Sequence, residues 1–214
     1  MATDRRTLLA DAALGVLADE GMRGLTHRAV DRRAAMPPGT TSAYYRTRAA
    51  LLTALVTRLV HLDQAELQAT AEQFPAPRTA GELVDGMVVL TRRRLTGEGR
   101  RRSLARYACT VESVRDPELR EILVPRENAG RGAVRLFLAG HGVRVADVEN
   151  RTHTLLTCVD GLVFDRLVNG GDVPREALEG LIAAALRPAE QSEQSEQAGQ
   201  AARPDQPVGT PASR

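Results

Sequence analysis

A chain of 214 residues that is 43% hydrophobic and 26% charged has enough apolar material for a buried core and the ordinary composition of a globular protein. All 29 of its basic residues are arginine, which excludes chemistry that needs a lysine, such as a phosphate-loop lysine or a Schiff base. The net charge of +2 hides an asymmetry: residues 1–60 hold nine arginines against five acids, so the positive excess sits toward the N-terminus, where it suits contact with phosphates.

The periodicity is helical throughout. Leu8, Leu9, Ala12, Ala13, Val16 and Leu17 form the apolar stripe of a first helix, which Thr3 or Asp4 can cap and Gly21 ends. Thr26 reads as the cap of a short second helix reaching Ala34, with Ala29 and Val30 facing inward. The "AMPPG" stretch breaks it. Pro38 suits the first position of a third helix, because its missing N–H costs nothing there, and that helix runs to about Tyr45. Thr47 can cap a long fourth helix with the stripe Leu51, Leu52, Leu55, Val56, Leu59 and Leu62, continuing to about Gln73. After the "FPAPR" break, helices are predicted at about 79–96, 101–115, 117–139, 146–169 and 174–187, separated by Gly/Pro punctuation. From Pro188 the chain has a single large aliphatic residue, Val208, and a repeated "EQS" pattern; a disordered tail is expected over 188–214.

A second helix, a tight turn and a short third helix make a helix-turn-helix, whose third helix enters the DNA major groove. Groove insertion needs a slim helix, and "PPGTTSAYYRTRAALL" supplies one: Gly39, Thr40, Thr41, Ser42 and Ala43 leave room for base edges. Thr40 and Thr41 can bond bases or place a methyl against thymine. The N–H groups opening this helix favour phosphate oxygens. Adjacent tyrosines point about 100° apart; Tyr45 is assigned to the core and Tyr44 to a phosphate. Arg28, Arg46 and Arg48 are expected on the DNA backbone, and Thr26 beside them.

The run "LTHRAVDRRAAMPPGTTSAYYRTRAALLTALV" resembles the DNA-binding segment of the tetracycline-repressor (TetR) family. Thr26, Arg28, Pro38, Gly39, Thr40, Tyr44, Tyr45 and Arg48 stand at the matching places, and the resemblance covers about residues 5–60. Four positions depart from the family's pattern. Ala35 replaces a turn glycine and should avoid positive φ or be strained by it. Pro37 replaces a capping serine, Ser42 a frequent tyrosine, and Arg48 a lysine.

The resemblance implies an all-α chain: a helix-turn-helix DNA-binding domain over 1–47, and a helical ligand-binding and dimerisation domain over 48–187. It implies a homodimer on a palindromic operator, with the last two long helices pairing as a four-helix bundle. The apolar residues Leu155, Leu156, Val159, Leu162, Val163 and Leu167, then Leu178, Leu181, Ile182, Ala185 and Leu186, permit this. It also implies an interior cavity for a small-molecule effector, expected to be lipophilic or amphipathic. Polar or aromatic residues on otherwise apolar helices are the candidates to line a mostly aliphatic pocket: Met87, Thr91, Tyr107, Thr110, Phe137 and Thr157, with His153 behind them.

Other classes fit less well. The four histidines show no metal-ligand spacing, there is no Gly-x-Ser-x-Gly turn, and "GHG" follows a helix rather than a strand, so no catalytic site, metal or cofactor is expected. Cys109 and Cys158 read as two buried free thiols. No apolar run approaches the length of a membrane span, and acids interrupt the first apolar stretch, so a cytoplasmic protein is expected. The reading is a ligand-responsive transcriptional regulator, expected to act as a repressor. The alternatives are a constitutive DNA-binding regulator without ligand and, remotely, an enzyme.

Overall fold

The computed structural model describes residues 4–73, 75–123 and 129–188, and every regular element among them is an α-helix. In chain order these are α1 (Arg5–Gly24), α2 (His27–Arg33), α3 (Thr40–Tyr44), α4 (Arg48–Gln73), α5 (Ala80–Leu95), α6 (Gly97–Ser113), α7 (Pro117–Leu123), α8 (Ala129–Gly140), α9 (Val145–Asn169) and α10 (Arg175–Leu186). Thr3 and the tail expected beyond Pro188 lie outside the described residues.

The N-terminal helices follow local signals. In α1 Leu9, Ala12, Ala13, Val16 and Leu17 are buried, and Gly21 at φ 68° breaks the helix before one last turn. Asp4 precedes α1 without a side-chain cap bond. Thr26 caps α2 by accepting the Ala29 N–H at 3.2 Å. Thr47 does the same for α4, accepting the Ala50 N–H at 3.0 Å.

The end of α2 is a Schellman motif. The Met36 N–H donates to the Asp31 carbonyl at 2.9 Å and the Ala35 N–H to the Arg32 carbonyl at 3.2 Å. Closing those two bonds requires a left-handed residue between them, and Ala35 takes it at φ 52°, alone among described non-glycine residues. The strain expected from the missing glycine is therefore present. Ala35→Gly is expected to raise stability by about 0.5–1 kcal/mol, since relief of the left-handed Cβ exceeds the added chain entropy of glycine. Thermal unfolding should then move up by about 1–4 °C; an unchanged or lower midpoint would show that Ala35 is not strained.

Pro38 does not open the third helix. Pro37, Pro38, Gly39 and Thr40 form a type II turn, with Gly39 at φ 92°, ψ −7° and the Thr40 N–H donating to the Pro37 carbonyl at 3.2 Å. Proline suits the second place of that turn and glycine the third, so α3 begins at Thr40.

Two apolar clusters hold the chain together. One joins α1, α2 and α4 to Ala105 and Cys109 of α6 and Leu119 and Leu123 of α7. The other joins α5, α8, α9 and α10. Helix α4 packs on α1, α6, α7 and α8, and α6 packs on α1. The predicted segment 101–115 starts earlier, at Gly97, whose φ of 49° turns the chain sharply out of α5. The predicted 117–139 is α7 and α8. The stripes on α9 and α10 expected to await a second subunit are used within the chain: Leu155, Val159, Val163, Leu178 and Ile182 are buried. Leu156, Leu162, Leu181 and Leu186 are partly buried against the same cluster. No described helix is long and apolar enough to cross a membrane.

Candidate nucleic-acid interface and cavity

Helix α3 has five residues, too short to be stable on its own. Asp31 holds it. This carboxylate is buried on α2. Its Oδ2 accepts the Gly39 N–H at 2.8 Å; its Oδ1 accepts the Thr41 N–H at 2.7 Å and the Thr41 hydroxyl at 2.5 Å. Burial pushes the Asp31 carboxyl up, but the bonds from Thr41 and Gly39 outweigh it and hold the group below its ordinary value. Beyond α3, His27 Nε2 lies 2.7 Å from the Tyr45 carbonyl oxygen. Helix α2 thus grips α3 at both ends. Sequence reasoning missed Asp31; the available signal was an acid one residue past Val30 on a helix whose follower has no side-chain cap of its own.

This grip corrects two expectations, and the contacts of Arg48 correct a third. Thr41 is fully buried and its hydroxyl is spent on Asp31, so it cannot read a base. The N–H groups of Gly39 and Thr41 already serve Asp31, so they are not vacant for phosphate. Arg48 reaches back across the domain: its Nη1 donates to the Leu25 carbonyl, and its Nη2 to the Met22 carbonyl at 2.6 Å. It ties the start of α4 to the link between α1 and α2.

The other residues remain available. Thr26, Arg28, Gly39, Ser42, Ala43 and Arg46 are exposed, and Thr40 is half-buried. Ser42 and Thr40 donate their hydroxyls to the Gly39 and Pro37 carbonyls at 2.9 and 2.7 Å, which leaves their oxygens free to accept. Arg28 and Arg46 hold no hydrogen bond or ion pair among the described residues. Tyr45 is buried and donates its hydroxyl to the Arg6 carbonyl at 3.1 Å. Tyr44 is half-buried, with the Arg6 guanidinium 5.6 Å from its ring centre.

Behind these helices lies a cavity of about 200 Å³, walled by α4, α5, α6 and α9. Its wall carries Asp63 and Glu66, Arg94, Arg102 and Arg106, and Asp160, with Val60, Leu67 and Leu90 as the apolar part. The charges are paired: Arg102 with Glu66, Arg106 with Asp63, and Arg94 with Asp160 at 2.6 Å. Tyr107 buttresses the last pair. Its hydroxyl donates to the Asp160 carbonyl at 2.9 Å and accepts from Arg94 at 3.3 Å. Burial pushes the Tyr107 phenol up to about 12, against the opposing pull of Arg94.

The residue before Arg102 turns the other way. Arg101 Nη2 donates to Asp19 Oδ2 of α1 at 2.8 Å, and the same oxygen accepts from Arg33 Nη1 of α2 at 2.7 Å. The Arg33 guanidinium lies over Gly15, where an added Cβ would meet its Nε at 2.1 Å. Asp19 therefore links α1, α2 and α6.

Comparison with known proteins decides the family. Residues 78–188 match the family described as "Tetracyclin repressor-like, C-terminal domain". The chain belongs to the TetR family. It is a TetR-family transcriptional regulator. Among solved structures it is similar to a transcriptional regulator from Rhodococcus sp. Rha1, at 24% identity and a TM-score of 0.66, covering 86% of this chain and 94% of that one. A TetR-family member from Streptomyces coelicolor A3 gives 23% identity and a TM-score of 0.64, with 87% and 100% covered. The multidrug binding protein EbrR complexed with imidazole gives 23% and 0.62, with 88% and 99% covered. At these identities the structural likeness establishes the shared fold. No curated protein matches the chain.

The six residues expected to line this TetR-family regulator's pocket do not line the cavity, and the cavity is charged rather than mostly aliphatic. Met87, Thr91 and Phe137 are buried, Met87 and Phe137 within the second apolar cluster; Thr91 donates to the Met87 carbonyl at 2.8 Å, and Phe137 stacks on His141 at 4.0 Å. Thr110, Thr157 and His153 are exposed. Tyr107 comes nearest, through Arg94 and Asp160. Cys109 is buried, which pushes its thiol up to about 12, whereas Cys158 is exposed on α9, contrary to the pair of buried thiols expected. The outward face of α9 presents Gly161, Phe164 and Val168, and that of α10 presents Gly180, Ala183 and Ala184.

Proposed function

We propose that this TetR-family regulator binds a two-fold symmetric DNA site as a homodimer, acts as a repressor, and is released when a small amphipathic molecule enters the cavity. The observation that carries this reading is the exposed edge of α3, pinned from behind by Asp31 and flanked by the two unpaired guanidiniums of Arg28 and Arg46. In this reading residues 1–47 are the DNA-binding unit, with Thr40, Ser42 and Ala43 toward base edges and Arg28, Arg46, Tyr44 and Thr26 toward phosphates, while Gly39 shapes the turn that starts α3. Residues 48–187 carry the cavity and the dimer face. The protein works in the cytoplasm and catalyses nothing.

The small and apolar residues left outward on α9 and α10 support pairing with a second copy, because close helix approach needs small side chains and Phe164 and Val168 gain burial there. A dimer reads two half-sites a helical turn or more apart, which one five-residue helix cannot do alone. The imidazole complex of the neighbour EbrR, a multidrug binding protein, supports an effector here. Release follows if the ligand favours the state in which the two α3 helices no longer match the half-sites.

The test is salt-dependent binding to duplex DNA. Log affinity falls by about 0.9 per phosphate contact for each log unit of salt. Arg28→Ala and Arg46→Ala should each lower that slope by about 1.8, one contact per subunit of a dimer, and weaken all DNA sequences alike. A slope unchanged in both variants would remove α3 and its flanks from the interface.

A further inference from the structure

We propose that the effector of this cavity is a small zwitterion, of the type of an α-amino acid with an apolar side chain, and that it inserts between Arg102 and Glu66. The inference rests on the reading of the cavity as the effector site and specifies its chemistry. Three guanidiniums and three carboxylates meet in the wall, so its formal charge is zero, and each is matched with a partner across helices. Five of the six side chains are about three-quarters buried. In such surroundings an unmatched charge is strongly unfavourable. A monocation that takes Glu66 leaves Arg102 only the Asp63 carboxylate, 3.9 Å away and already held by Arg106, and a monoanion that takes Arg102 orphans Glu66. A molecule with an ammonium and a carboxylate on neighbouring carbons leaves neither orphaned. Its carboxylate accepts the planar fork of Arg102 while its ammonium donates to Glu66, so each protein charge exchanges one partner for another.

Size and shape agree. About 200 Å³ is the share of roughly seven liquid waters, below the 300 Å³ or so where drug-sized pockets begin. Val60, Leu67 and Leu90 supply an apolar edge for one side chain. Of the three pairs, Arg102–Glu66 is the one to open. Arg94–Asp160 is braced by Tyr107, and Arg106 holds Asp63 through two nitrogens and reaches the Leu123 carbonyl. Opening that pair also acts on the DNA-binding helices, because Arg101, next in the chain, grips Asp19 of α1.

The test compares three molecules of one skeleton by calorimetry with the full-length protein: L-phenylalanine, the phenethylammonium cation and the 3-phenylpropionate anion. L-Phenylalanine is expected to bind at least about tenfold tighter than either ion. In Glu66→Gln Arg102 keeps only the distant Asp63 carboxylate and the ammonium loses its acceptor, which should reverse the order, so that 3-phenylpropionate overtakes L-phenylalanine by about tenfold, a change of preference that a misfolded variant cannot mimic. Equal or tighter binding of either ion to the wild type overturns the proposal, as does a lack of binding by all three or an unchanged order in Glu66→Gln. Duplex-DNA binding by the same preparation is measured separately. Its loss sinks the regulator reading and leaves the calorimetric result standing, and L-phenylalanine that binds without releasing DNA separates ligand class from allosteric coupling.

Discussion

Replacing Asp31 with alanine is expected to abolish DNA binding and to lower the folding free energy by about 3–5 kcal/mol. The carboxylate accepts three hydrogen bonds, two from backbone N–H groups and one from the Thr41 hydroxyl. A bond to a charged acceptor contributes about 1.5–3 kcal/mol, and removing the acceptor leaves the fully buried Thr41 with two donors and no partner. A five-residue helix has little else to hold it, so α3 loses its place against α2 even if the rest of the chain stays folded. Asp31→Asn keeps one acceptor oxygen and should cost less, but it turns an amide N–H₂ toward a backbone N–H. The same carboxylate sets an acid limit. Its value in the folded chain lies below the ordinary 3.8, so its contribution is whole at any pH above about 4 and fades as the pH falls through the lowered folded value. Denaturant titrations between pH 7 and pH 3 should show this loss in the wild type and a flatter profile in Asp31→Asn. DNA affinity in Asp31→Ala within about twofold of the wild type, with an unchanged denaturation midpoint, would remove Asp31 from its role.

Gly99→Ala is the second large effect, and it falls far from DNA. A Cβ at Gly99 would stand 1.9 Å from the Arg93 carbonyl oxygen and 2.9 Å from the carbonyl carbon. Both atoms are backbone of α5, so no side chain can rotate away, and α5 and α6 must separate. Overpacking of this kind costs about 3 kcal/mol, or a drop of about 6–12 °C in the thermal midpoint for a chain of this size. Ser103, which donates to the Arg94 carbonyl at 2.9 Å across the same corner, loses its bond in the process. The first turns of α6 carry Arg101 and Arg102, so the shift reaches both the cavity and α1. A midpoint within about 2 °C of the wild type would mean that the corner yields without strain.

Much of the fold was legible because its signals are local. Thr26 and Thr47 cap their helices, Gly21 breaks α1, and four-residue stripes set the inward faces of α1 and α4. What failed was local evidence asked to settle a three-dimensional question. Five residues are too few for a period to show which threonine faces in, so Thr41 looked like a reader. Pro38 fits the first turn of a helix and the second place of a type II turn equally well, and the positive φ of Gly39 decided it. Arg48 looked like a phosphate contact because nothing near it in sequence announces the carbonyls of Met22 and Leu25. The cavity was the least legible of all. Its wall is assembled from residues 63, 66, 94, 102, 106 and 160, charges that each read as solvent-facing on their own helix and become an interior only once four helices meet.

Asp19 has a consequence of a different kind. Arg33 of α2 and Arg101 of α6 both close on the same Oδ2 atom. Losing either guanidinium gives the other a fuller claim on that oxygen, so the loss of one alters what the loss of the second means. In the terms of heredity the two loci are epistatic through a third. Selection acting on Arg33 of α2 and selection acting on Arg101 of α6 therefore meet in one atom.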